Sequence, residues 1–260
     1  MLDHPWSEPP ALGQACEVAE GVLWTRLPLP FPGLDHVNIY ALDDGEAWTL
    51  LDTGLDWAKS RAALAAFQKA LGRPVARVVI THHHPDHIGM AGTLARQGVE
   101  VLISRVAYLS ARMLSFDVQE RPTPEMVRFR NRAGMTGAAL AAYAEERPFN
   151  LADGVAALPL GFTRLSEGDT LHAGGRDWRV RLGEGHAPEM VTLWSEDGAL
   201  MLAGDQVLPG ISPNIGVSAT EPGADPLSGW IETCTRFRAL GGDPLVLPGH
   251  RLPFCGLHTR

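Results

Sequence analysis

Seven residues, Thr81-His82-His83-His84-Pro85-Asp86-His87, constrain this 260-residue chain more than any other stretch. They follow an apolar run, Val78-Val79-Ile80, and precede Ile88-Gly89-Met90-Ala91-Gly92. That order reads as a short buried strand, a tight turn and a helix from about His87 to Gln97. Residues two apart on an extended segment point the same way, so His82 and His84 can reach one metal together. Asp86 and His87 lie where the chain turns and can face a second metal beside the first. Imidazoles and a carboxylate at this density suit borderline divalent metals such as zinc. His83, between two candidate ligands, is expected to be exposed.

The length fits one large α/β domain or two small ones, and 45% hydrophobic against 20% charged residues supports a well-buried core. A net charge of -8 argues against a general nucleic-acid binder, which needs clustered Lys and Arg. Cys16, Cys234 and Cys255 are odd in number and far apart, so neither a disulfide framework nor a Cys-rich zinc knot is expected. Reduced cysteines, the lack of a basic and apolar leader at 1–10, and the lack of a bilayer-length apolar run set the expectation of a cytoplasmic protein with no membrane partner.

Along the chain, residues 1–20 are Pro-rich and read as a loose lead-in to a domain over 21–260. Gly21 to Leu27, His36 to Leu42 and Ala47 to Leu51 read as strands, with Pro28 to Gly33 too Pro-dense for an inner strand and expected as a rigid loop. A helix is expected from Ala58 to Leu71, ended by Gly72. Strands at Arg77 to Ile80 and Val99 to Ile103 flank the His-rich turn. Residues 105–150 then read as a helical insertion carrying seven arginines against five carboxylates. A solvated helix face is its plain reading, and a lid whose arginines meet an anionic substrate is the functional one. Further strands are expected at Leu165 to Leu171, Trp178 to Leu182, Val191 to Trp194, Ala199 to Leu202 and Leu245 to Leu247, with a helix from about Leu227 to Leu240.

Asp52, His82, His84, Asp86, His87, His186, Asp205 and His250 each fall at or just past the end of an apolar strand. Such ends converge at one edge of an α/β core into a pocket. The pattern His-x-His-x-Asp-His at 82–87, followed by Gly185-His186, Gly204-Asp205 and Gly249-His250, with Asp52-Thr53-Gly54 upstream, resembles the metallo-β-lactamase superfamily of metal-dependent hydrolases. The resemblance runs from about Gly21 to His250 and is nearest to the glyoxalase II-like branch. It implies an αββα four-layer sandwich of two mixed sheets flanked by helices, with a dinuclear metal centre at one edge. By the same resemblance His82, His84 and His186 hold one ion, Asp86, His87 and His250 hold the other, and Asp205 bridges them. Asp52 would stand behind the ligands and orient them.

Two zinc ions are the implied cofactor, with iron or manganese as alternatives. Roughly 3.5–4 Å apart, they would share a hydroxide that attacks an electrophilic centre, with Asp86 orienting the nucleophile and moving its proton. The substrate expected is a small ester-type molecule, a thioester or lactone, with an anionic one as an option. Tyr40 and Asn214 are the candidates for pocket lining. The chain ends ten residues past His250, so the helical glutathione-binding region of glyoxalase II is expected to be missing. A different chemistry on the same scaffold, that of the mononuclear iron persulfide dioxygenases, is the competing reading. Oligomeric state is not legible.

Overall fold

The structure is a computed structural model and describes residues 2–259. β1 (Ala15–Ala19), β2 (Val22–Phe31), β3 (Leu34–Asp43) and β4 (Trp48–Leu51) form an antiparallel meander. Helix α1 (Ala58–Leu71) then carries the chain to β5 (Val75–Val79), parallel to β4. Short helices α2 (Pro85–Ile88) and α3 (Ala91–Arg96) lead to β6 (Glu100–Ser104). Next come α4 (Arg105–Phe116), α5 (Pro124–Arg132) and α6 (Gly137–Glu145), and β7 (Thr163–Leu165) completes a seven-stranded sheet ordered β1 to β7. The second sheet holds β8 (Thr170–Ala173), β9 (Arg176–Gly183), β10 (Met190–Ser195) and β11 (Leu200–Gly204). After α7 (Pro226–Ala239), β12 (Leu245–Pro248) pairs parallel to β11 at its edge. Both sheets are mixed.

The layers follow from the period-two pattern of the strands. In β3, Val37, Ile39 and Ala41 face the helices, whereas Tyr40 and Leu42 face the other sheet. In β11, Leu200 and Leu202 face inward while Met201 and Ala203 meet Phe237 of α7. Between the sheets lie Trp24, Tyr40 and Trp178, each at most 1% exposed. Burying such a side chain is worth about 1.5–3 kcal/mol, so the two sheets are held face to face mainly by this layer. On the outer face, Ser60, Leu64, Phe67 and Leu71 make one stripe of α1, which ends at Gly72 in the left-handed conformation (φ 66°). The result is helix, sheet, sheet, helix: an αββα sandwich.

Four local expectations need correction. The stretch 1–20 is tied down: Asp3 bridges Cys255, Trp6 packs edge-on against Trp24, and 15–19 are strand β1. The Pro-dense segment belongs to β2 and turns at Gly33 into β3. It tolerates proline because β1 pairs only with residues 22–25, which leaves the far half of β2 as an edge. The single strand expected at 165–171 is two: β7 in one sheet and β8 in the other, joined by a turn at 166–169. The single helix expected over 87–97 breaks at Gly89-Met90. There the backbone runs so close to the loop after β4 that a Cβ on Gly89 would lie 2.4 Å from the Gly54 carbonyl oxygen.

Candidate metal centre

Strands β4, β5, β9, β11 and β12 deliver Asp52, the 82–87 turn, His186, Asp205 and His250 from their carboxyl ends. Strand β4 pairs parallel with β5, and β11 with β12, so within each sheet these loops leave at the same edge. His82, His87 and Asp205 are buried, as are Asp86 and His250. Three groups of donors have ligand atoms within 4.8 Å of one another: His82, His84 and His186; His82, His87 and Asp205; and Asp86, His87 and His250. Asp205 Oδ2 lies 3.5 Å from His87 Nε2, 3.5 Å from His186 Nε2 and 3.3 Å from His250 Nε2, so one carboxylate stands between the two outer groups.

The tautomers are fixed from behind. His87 Nδ1 donates to Asp52 Oδ2 (2.8 Å), His186 Nδ1 to the carbonyl of Asn214 (2.8 Å) and His250 Nδ1 to the carbonyl of His36 (2.7 Å). These partners can only accept, so each ring keeps a proton on Nδ1 and turns Nε2, the atom a cation would take, to the centre. Thr81 Oγ1 donates to Asp52 and is free to accept from His82 Nδ1 (2.9 Å), which leaves His82 Nε2 facing inward as well. That atom sits 3.0 Å from His84 Nδ1, as expected of two lone pairs converging on one point.

Do the residues fit a metal? The Nε2 atoms of His87, His186 and His250 and Oδ1 of Asp205 are buried with no hydrogen-bond partner. Four orphaned polar atoms in one cluster would be costly in a protein that had nothing to offer them. Divalent cations supply what they lack, and the mixed nitrogen and oxygen donors are those that borderline metals take. The approach is tight: a Cβ at Gly249 would lie 2.2 Å from Asp205 Oδ1 and 3.0 Å from His87 Cε1. Only glycine lets β12 close on the cluster.

Protonation tells the same story. Burial holds His84 down to about 3 and also lowers His82 and His186, so these rings are neutral ligands. Burial works against charge on Asp205 and Asp86 too, but the neighbouring His87 and His250 outweigh it and keep both carboxyls ionised. In return the carboxylates overcome burial at His250, raising it to about 9, and push His87 well up. In the protein alone, protons on these two rings balance the carboxylates. Bound cations would displace them.

Other expected residues stand elsewhere. Tyr40 is buried between the sheets with its hydroxyl donating to the carbonyl of Pro248 (2.9 Å), which leaves it no proton for a substrate oxygen. Asn214 contributes its backbone carbonyl, while the residue itself is exposed. His83 is half-buried rather than exposed, with its ring packed on that of His84 (centroids 4.8 Å apart). Three of the insertion's seven arginines are spent on nearby carboxylates: Arg121 on Glu145, Arg128 on Glu125, and Arg147 on Asp153 and Glu120. Two positions had no sequence signal. His36 acts through its carbonyl, which any residue has. Glu189 holds φ +45°, receives the amide of Val106 at the start of α4 and so ties the His186 loop to that helix (2.9 Å).

The sequence pattern of the metallo-beta-lactamase superfamily matches residues 32–250. The "Probable metallo-hydrolase YqjP" of Bacillus subtilis (strain 168) is 28% identical over 249 residues, covering 92% of this chain and 74% of that protein. A β-lactamase domain protein from Burkholderia ambifaria superposes with a TM-score of 0.86 at 36% identity, covering 100% of this chain and 78% of the other. For a metallo-β-lactamase family protein from Thermus thermophilus the values are 0.79, 26%, 94% and 78%.

Proposed function

The chain belongs to the metallo-β-lactamase superfamily, and from that premise we propose that it is a dinuclear zinc hydrolase cleaving a small ester-type bond, a thioester or lactone. The observation that carries this reading is the set of donors gathered around Asp205, with His87, His186 and His250 each held by a partner behind it. His82, His84 and His186 would hold one cation, Asp86, His87 and His250 the other, with Asp205 common to both. When bound, such a pair supplies Lewis acidity, lowers the pKa of water toward ~7 and polarises the oxygen that gains charge.

The protein's own share is placement and proton transfer. Asp52, the Asn214 carbonyl and the His36 carbonyl hold three rings against rotation, so the ligand lone pairs are pre-aimed. Asp86 is ionised, lies 3.4 Å from His250 Nε2, and is the carboxylate positioned to take the proton of the attacking water and pass it to the leaving group. Neither a serine nor a cysteine nucleophile is needed.

Metal analysis of the purified protein, followed by a panel of thioesters, lactones and phosphodiesters, tests the reading. About two zinc ions per chain with turnover on thioesters or lactones is the expected result. One iron per chain with oxygen-dependent turnover of a persulfide, or activity on phosphodiesters alone, would overturn it.

A further inference from the structure

Beside the centre, behind His250, lies a cavity of about 600 Å³ that the ligand set does not use. Its walls include Arg26 of β2, Asp35 and His36 of β3, Arg251 and the Pro209–Ile211 segment. Three of these walls connect to ligands. The His36 carbonyl holds His250 (2.7 Å), and the two imidazoles meet edge to face at 6.2 Å. Arg251 follows His250 directly, and Pro209 comes four residues after Asp205.

Two guanidiniums share this cavity, and among the described residues neither forms an ion pair. The one carboxylate in the wall, Asp35, is engaged by His36 Nδ1 (2.6 Å) and is itself exposed. His36 Nε2 accepts from the Arg251 amide, so the ring keeps only its Nδ1 proton and adds no charge. Arg26 is steered into place by its Nε donating to Asn38 Oδ1 (3.2 Å) and by stacking over Trp24, which leaves its two terminal nitrogens for the cavity. Arg251 is held from its backbone: its amide donates to His36 Nε2 (3.1 Å), and its carbonyl accepts from Asn38 Nδ2 (2.8 Å). That grip keeps a non-glycine residue at φ +72°, a conformation that persists only where the surroundings over-determine it. One of its terminal nitrogens donates a long hydrogen bond to the Gly33 carbonyl (3.4 Å), while its Nε is buried and bonds to no protein acceptor. A planar fork with an unused donor is the group that recognises carboxylates in two-point contacts.

We infer that Arg26 and Arg251 form a subsite for the remote carboxylate of the substrate, so that the ester cleaved at the metal centre is a half-ester or half-thioester of a dicarboxylic acid. The inference rests on the hydrolase reading above and moves the anion-binding role from the 105–150 insertion to the cavity. Three arginines of that insertion, Arg121, Arg128 and Arg147, already have carboxylate partners. These two do not.

The test compares a glutaryl thioester with its uncharged valeryl counterpart, same leaving group, on the zinc-loaded protein and on Arg26→Met, Arg26→Lys and Arg251→Met. The wild type prefers the acid. In Arg26→Met and Arg251→Met the acid-to-neutral ratio of kcat/KM falls about 10–100-fold, mostly through KM, and Arg26→Lys recovers part of it. A ratio that stays constant, whether both substrates suffer equally or neither does, overturns the subsite. Should the wild type cleave no ester, the hydrolase reading fails. Calorimetry with glutarate alone then decides the subsite: binding lost in both Met variants supports it, and no binding by the wild type at millimolar concentration overturns it. Glutarate that binds without competing with an ester substrate also overturns it.

Discussion

Asp52→Asn isolates one contact at the centre. Asp52 is 1% exposed, sits at φ 63° and accepts from the Thr81 amide (2.8 Å), the Thr81 hydroxyl (2.9 Å) and His87 Nδ1 (2.8 Å). Asparagine tolerates the left-handed backbone, whereas alanine would add strain there, so Asn changes the chemistry and little else. Its amide has one acceptor oxygen. Turned toward Thr81, it sets an NH2 group against His87 Nδ1, and the ring must shift its proton to Nε2, the atom aimed at the metal. Turned the other way, the buried Thr81 donors lose their acceptor at about 1–3 kcal/mol. Loss of a partner behind a metal-binding histidine costs about 10–100-fold in affinity, or about 1.4–2.8 kcal/mol. A chelator-competition titration should therefore show one of two zinc ions weakened by that factor. Nitrogen NMR of the metal-free variant should find the Nδ1 proton of His87 lost. Equal affinity for both ions, with the Nδ1 proton retained, would refute the role given to Asp52.

Asp86→Ala should lower ester turnover by about 10²–10⁴ while leaving the thermal midpoint within a few degrees, and full turnover would sink the dinuclear assignment. Gly249→Ala pushes a methyl to within 2.2 Å of Asp205 Oδ1, so zinc stoichiometry should fall below two per chain with the circular dichroism spectrum unchanged. In metal-free protein, burial keeps His84 near 3 and His83 near 4, so the unfolded chain binds protons below about 6.5 that the folded one does not, and stability drops as pH falls toward those values. His250, raised to about 9, does the opposite: its contribution is complete below 6.5 and is lost as pH rises through 9. Thermal melts of the chelated protein should thus peak near the usual imidazole pKa, and a midpoint that climbs steadily from pH 7 to 9 would contradict the assignment. Arg128→Ala breaks an exposed pair with Glu125 and should leave the thermal midpoint essentially unchanged. A large loss of turnover there would restore a catalytic role to the insertion.

What the sequence disclosed depended on whether an interaction uses a side chain's identity or the backbone. The eight strand-end residues were legible because only His, Asp, Glu and Cys ligate, and because short apolar runs mark where each strand stops. Helix α1 was legible to its last residue, since its apolar stripe and the glycine after it agree. The carbonyls of His36 and Asn214, which set the tautomers of His250 and His186, left no trace, because every residue carries a carbonyl. The same blindness misplaced Tyr40: a strand tyrosine reads alike whether its hydroxyl meets a substrate or, as here, the Pro248 carbonyl across the sheets.

Charge in the 105–150 insertion admitted two readings, a solvated helix face and an anion-binding lid, for a related reason. Counting arginines singled out the 105–150 insertion, but a count cannot say which are already neutralised. There Arg121, Arg128 and Arg147 meet Glu145, Glu125, Asp153 and Glu120 at exposed positions, where such pairs do little for stability but offset the charge of those three. Arg26 and Arg251 lie 225 positions apart in the chain, in segments with no basic excess. They are joined by Asn38, which accepts from one and donates to the carbonyl of the other. At these two positions, then, available positive charge is decided by pairing rather than by composition.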